Sequence, residues 1–230
     1  MTKKIKKGRV KKVSSNITRI EKESALGRRY HIYVDGEFAL SIHEDVLVKF
    51  RLHKGMDVGE ADCQHWLLAE EQNRARQIAF KYIGYRPRTV YQVHQHLLEK
   101  GFSLEHIQVT TEELVQQGYL NDGQYAMAWV EERQRLKGLG STRLRQELKQ
   151  KGVADHWIDK ALSYIEQDEE RQLAMTLAER RYSRIQDDLW SKVERKLGQY
   201  LMRRGFSADI VYPILKHFRS IHRHEKGDRL

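Results

Sequence analysis

LLEKGF, at Leu97–Phe102, comes back respelled as ELKQKGV at Glu147–Val153 and as YLMRRGF at Tyr200–Phe206. In each copy a leucine (Leu97, Leu148, Leu201) stands four residues before a glycine (Gly101, Gly152, Gly205). A cation directly precedes the glycine: Lys100, Lys151 and Arg204. An apolar residue follows it, and six positions past it comes Ile107, Ile158 or Val211. The glycines are 51 and then 53 residues apart, so the pattern is an internal repeat and decides how the rest is read.

Val90, Val93 and Leu97 lie at i, i+3 and i+7, one stripe of an amphipathic helix. Trp190, Val193, Leu197, Tyr200 and Leu201 repeat that stripe in the third copy. Glycine after the cation ends the helix, because it accepts the left-handed conformation and the cation suits the negative helix end. A second helix follows, carrying Trp157, Ile158, Ala161, Leu162 and Ile165 in one copy and Ile210, Val211, Ile214, Leu215 and Phe218 in another. Another helix precedes each pair, roughly over 72–84, 123–136 and 170–183. One repeat is too small for a generous core of its own. The reading is a mostly α fold of three tandem three-helix repeats in an elongated, curved array. Three such modules in a row would span roughly 75 Å.

Ahead of the repeats the period changes to two. ITRIEKE, RRYHIYVD and EFALSI alternate apolar and polar residues, and Asp35–Gly36 is a two-residue hairpin signal. Strands are expected near 17–23, 28–35 and 37–42, packed on a helix near 43–51, with a further helix from about Glu60. This gives a small three-stranded α+β cap. The expected boundaries are a basic arm at 1–13, the cap at 14–68, repeats at 69–120, 121–168 and 169–224, and a tail at 225–230. Asn121 or Asp122 would cap the helix after QGYLNDGQYA. The joint IEQDEERQL has no Gly or Pro, so a helix either continues through it or restarts on its acids. From Lys216 onward the chain is expected to fray.

With 42 Lys and Arg against 32 Asp and Glu, the net charge is +10, which suits a polyanionic partner. Seven of those cations crowd Lys3–Lys12 without an acid. The mean hydropathy of −0.74 leaves no segment able to span a bilayer. The basic start lacks the apolar stretch of a signal peptide, and Cys63 is the single cysteine, which fits a reducing cytoplasm.

Catalytic patterns are missing. No GxxxxGK[ST] is present, and Gly138-Leu139-Gly140-Ser141 reads as a turn with Ser141 capping the next helix. His94-x-His96 and His222-x-His224 point their rings to different sides of a helix, and no HExxH or cysteine pair supports a metal. No enzyme, cofactor or metal is expected. The informative polar residues are cations that recur with each repeat: Arg86 and Arg88 in the first; Arg143, Arg145, Lys149 and Lys151 in the second; Arg180, Arg184, Arg203 and Arg204 in the third. A row of such sets suits a phosphate backbone or an acidic protein groove.

YVDGEFALSIHEDVLVKFRLHKGM (Tyr33–Met56), then RPRT–Q–LLEKGF (Arg86–Phe102), GYLND (Gly118–Asp122) and LRQELKQKGV (Leu144–Val153), resembles the RecX family of RecA regulators. The resemblance runs from about residue 16 to 220, with the third repeat its loosest part. It implies three helix-turn-helix-like modules and a cytoplasmic protein that binds RecA and the RecA–single-stranded-DNA filament. There it would restrain strand exchange, ATP hydrolysis and coprotease activity. The rival reading is a helix-turn-helix-type protein that binds single- or double-stranded DNA nonspecifically without RecA. Weak base readout would follow, since the second helices carry few Arg, Asn or Gln side chains.

Overall fold

The computed structural model describes residues 15–59 and 61–227, with side chains as far as His224. The basic arm expected at 1–13 lies outside them. The described elements are β1 (Ser15–Lys22), β2 (Arg29–Val34), β3 (Glu37–His43), α1 (Glu44–Lys49), β4 (Asp57–Val58), α2 (Asp62–Gly84), α3 (Val90–Glu99), α4 (Leu104–Gln116), α5 (Asp122–Lys137), α6 (Ser141–Gln150), α7 (Asp155–Leu162), α8 (Gln167–Tyr182), α9 (Trp190–Arg204) and α10 (Ala208–Gly227). They form two compact units among the described residues, one running up to Lys81 and including Leu97–Thr110, the other comprising Tyr82–His96 and the chain from Thr111 onward.

In the first unit the alternating segments form an antiparallel sheet of order β3-β2-β1-β4. Asp35 and Gly36 both take positive φ (51° and 91°), the backbone of a tight two-residue hairpin turn. The backbone N–H of Asn16 donates to Asp35 Oδ1 at 3.0 Å, and that bond, with Ser15 second, holds the Asp35 carboxyl below its ordinary value. Three strands were expected and the sheet has four. The extra one, β4, is a two-residue rung pairing Val58 with Ser15 and Asp57 with Asn16, too short to show alternation. Ile17, Ile32 and Ile42 are fully buried, and Val46 of α1 and Trp66 of α2 close over them.

The helix expected from Glu60 and the one expected over 72–84 are a single 23-residue helix, α2, so the expected cap boundary at 68 falls inside it. No Gly or Pro interrupts Asp62–Ile83, and the face carrying Trp66, Glu70 and Asn73 stays buried throughout. Glu70 ties that helix to the sheet. Its carboxylate accepts from Arg29 Nη1 at 2.7 Å and from the backbone N–H of His43 at 2.6 Å.

The second unit is helical. Ala126, Val130, Leu144, Leu148 and Ile158 belong to one buried cluster; Val193, Leu197, Leu201, Phe206 and Val211 belong to another. Each fully buried leucine contributes about 2 kcal/mol relative to exposure. Gly101, Gly152 and Gly205 all sit at positive φ (85°, 75° and 90°), as the repeat required. Asn121 is the N-cap of α5, its side chain accepting from Gln124 N–H. The open question at IEQDEERQL resolves as a break: α7 ends at Leu162 and α8 restarts at Gln167 with Asp168, Glu169 and Glu170 in its first turn.

Two expectations are corrected. Ser141 does not cap α6, since Gly140 is the N-cap and Ser141 is the first helical residue. The fraying expected from Lys216 is absent through Gly227, because α10 keeps burying its apolar face: Phe218 and His222 are covered, and Tyr182 Oη lies 3.2 Å from His222 Nδ1.

Candidate anion-binding site

Within the second unit, later segments close the start of α3. Asp122 Oδ1 accepts the Val90 N–H at 3.0 Å, and Thr89 Oγ1 donates to the Lys151 carbonyl at the end of α6 (2.7 Å). A Cβ on Gly152 would stand 2.2 Å from Tyr91 Cγ, so only glycine allows this approach. The start of α6 is closed in the same way. Glu170 accepts from the N–H and the hydroxyl of Ser141 at 2.7 and 2.8 Å. The N–H groups of Gly140 and Thr142 donate to the carbonyls of Arg204 and Gly205, at the end of α9, at 2.9 and 3.1 Å. Orphan donors of one helix thus meet orphan acceptors of another, with negative helix end against positive.

The first of these joints leaves a cavity of about 470 Å³, bounded by Arg86–Arg88, α5 and the end of α6. Arg86, Arg88, Arg133 and Lys151 line it, with Tyr125 and Trp129 between them. Trp129 is held by its indole N–H, which donates to Glu147 Oε2 at 3.1 Å. The Arg133 guanidinium and the Lys151 ammonium each stand 4.0 Å from the Trp129 ring centre. Arg88 stands 3.9 Å over Tyr82. The buried Nε atoms of Arg88 and Arg133 have no hydrogen-bond partner.

Electrostatics follows from that crowding. Burial pushes the Lys151 ammonium below its ordinary pKa, and Arg86, Arg133 and Arg88 push the same way against the pull of Glu147. Burial also raises the Tyr125 phenol, with the neighbouring guanidiniums opposing. Concentrated positive charge in a partly dehydrated hollow is suited to binding an anion. No group of His, Cys, Asp or Glu among the described residues is arranged to hold a metal ion.

The ten cations singled out in the sequence have different fates. Arg86, Arg88 and Lys151 meet at the cavity. Arg143 pairs with Glu147 at 3.5 Å, Arg145 with Asp159 at 2.6 Å, and Lys149 with Asp155 at 2.9 Å, so α6 shares its charge with acids of its own repeat. Arg204 donates from Nη1 to the carbonyl of Lys137 and lies 4.9 Å over Tyr200. Arg180, Arg184 and Arg203 are exposed. Sequence reasoning missed Arg133. The signal was its place one helical turn after Trp129, the spacing at which a cation covers an aromatic ring.

Four family models match in order along the chain: the regulatory protein RecX N-terminal domain over residues 15–59, and the RecX first, second and third three-helix domains over 75–114, 121–162 and 168–215. The regulatory protein RecX of Limosilactobacillus reuteri (strain DSM 20016) is 33% identical over 204 residues, covering 88% of this chain and 76% of that one. The chain belongs to the RecX family. The RecX of Bacillus cytotoxicus is 29% identical over 216 residues, covering 92% of this chain and 78% of its own. A solved structure described as "Crystal structure of regulatory protein RecX" superposes with a TM-score of 0.76 at 30% identity, over 88% of this chain and 99% of that one. The RecX structure from Lactobacillus salivarius gives 0.61 at 25% identity, over 65% and 97%. RecX relatives are named regulatory proteins, and this chain shares their N-terminal and three-helix domains. No described helix is long and apolar enough to cross a membrane.

Proposed function

We propose that this RecX-family chain binds RecA and the RecA–single-stranded-DNA filament in the cytoplasm, and modulates, mostly by restraining, its recombinase, ATPase and coprotease activities in DNA repair and the SOS response. It acts by binding and not by catalysis. The observation that carries this reading is the ordered match of all four RecX domains along the chain. Charge supports it, since a net +10 favours a partner rich in phosphate or carboxylate. The partner-facing cations are those at the cavity, Arg86, Arg88 and Lys151, together with the exposed Arg180, Arg184 and Arg203. Several weak contacts spread over the repeats act together through effective concentration.

The test is RecA ATPase turnover on single-stranded DNA with increasing amounts of this protein at several salt concentrations. Inhibition that weakens as salt rises is expected. Unchanged turnover at every salt concentration overturns the reading. In that case retention on DNA without RecA would favour the rival, a nonspecific DNA-binding protein.

A further inference from the structure

We propose that the cavity beside Trp129 is a phosphate site, taking the oxyanion of a nucleotide or of a nucleic-acid backbone. The proposal deepens the functional reading above and rests on it only for the biological source of that phosphate. Its physical basis is a crowd of cations with too few acids to match them. Arg86, Arg88, Arg133 and Lys151 face one hollow whose wall carries the acid Glu132. Glu147, outside the lining, is already engaged by Trp129 at 3.1 Å, Arg143 at 3.5 Å and Arg133 at 3.8 Å. The buried Nε of Arg88 has no hydrogen-bond partner, and that of Arg133 has only the long 3.8 Å ion pair with Glu147, an arrangement that costs free energy until a better acceptor arrives. Lys151 has its ammonium disfavoured by burial and by the guanidiniums around it.

Geometry narrows the ligand. The donors come from three places, the 86–88 segment, α5 and the end of α6, so they approach the hollow from different directions. A tetrahedral oxyanion presents acceptor oxygens to several such donors at once, whereas a planar carboxylate suits one guanidinium fork. The volume of about 470 Å³ lies in the range of small-ligand pockets. Base stacking on Trp129 is not the design, because two cations already stand 4.0 Å from that ring.

Acylation of Lys151, followed by peptide mass spectrometry on the full chain, tests the site. A lysine of lowered pKa carries a larger share of nucleophilic amine than an ordinary lysine at the same pH, and labels faster than its exposed counterparts. Sodium pyrophosphate is expected to slow labelling of Lys151 severalfold, while sodium chloride of equal ionic strength leaves it unchanged. Arg86→Gln, at an exposed position, should lose most of that protection with an unaltered melting curve. Protection by a short oligodeoxythymidylate at lower concentration than by adenosine diphosphate identifies a backbone phosphate, and the reverse order identifies a free nucleotide. Equal effects of pyrophosphate and chloride overturn the proposal, as does protection by a polyglutamate peptide alone. The same sample in the RecA ATPase assay separates the two ideas. Inhibition without phosphate protection rejects the pocket and keeps the regulator, whereas protection without inhibition does the opposite.

Discussion

Lys151 and Arg204 hold the same place in the repeat, one residue before the helix-ending glycine, and the structure uses them differently. Arg204 is consumed by the fold: it lies over Tyr200 and donates to the carbonyls of Lys137 and Gly138. Lys151 lies over Trp129 at the edge of a cavity and makes no ion pair among the described residues. The helix ends around them are alike, each closing the start of another helix, α3 or α6, through a backbone carbonyl. Geometric equivalence in a repeat therefore does not carry over to chemistry. One joint is filled by its own cation, and the other keeps a charged space open.

The glycines give the sharpest way to break this comparison. A Cβ on Gly205 would lie 2.3 Å from Arg143 N, one on Gly152 2.2 Å from Tyr91 Cγ, and one on Gly101 would meet nothing within 4 Å. All three would suffer the strain of positive φ, but only two would also collide. Gly205→Ala and Gly152→Ala are each expected to cost about 3 kcal/mol in urea unfolding, and Gly101→Ala about 1 kcal/mol. Equal losses at all three would mean that backbone strain alone sets the cost and that the close joints contribute nothing.

Next in size is Glu170, the carboxylate that accepts two hydrogen bonds from Ser141. Glu170→Ala should cost about 2 kcal/mol by stranding the Ser141 N–H, and Glu170→Gln clearly less because an acceptor remains. Identical curves for the two variants would remove the capping role.

The smallest effect separates the two cations directly. Arg204→Met should cost about 1 kcal/mol through its lost hydrogen bonds, while Lys151→Met should change stability by no more than about 0.5 kcal/mol. A pH series adds the sign. The folded pKa of Lys151 lies below the 10.5 of an ordinary lysine, so its protonated form is favoured more in the unfolded chain than in the fold. That penalty is fully present below the folded pKa and fades as pH rises to 10.5. Any advantage of Lys151→Met over the parent should accordingly shrink in alkaline solution. An advantage that grows there would contradict the crowding at the cavity.

Much of the fold was readable before any coordinates. The alternation around Asp35–Gly36 gave the hairpin, and the leucine-to-glycine spacing gave the ends of α3, α6 and α9. These signals are local, set by side-chain periodicity and by the φ that each residue tolerates. What escaped was short or long-range. Two residues of β4 carry no period, and Glu70 and Glu170 look like ordinary helix charges until the segments they cap are brought to them. The candidate site was half legible. Arg86, Arg88 and Lys151 stood out as cations, but so did Arg145 and Lys149, which the fold neutralises with Asp159 and Asp155.

Sequence by itself determined three repeated helical hairpins, their glycine ends, an alternating cap and a strongly basic chain, because each follows from neighbours within a few turns. Tertiary structure alone decided which cations stay without partners. Pairing depends on which residues distant in sequence are brought within about 4 Å, and burial then sets what an unpaired charge costs.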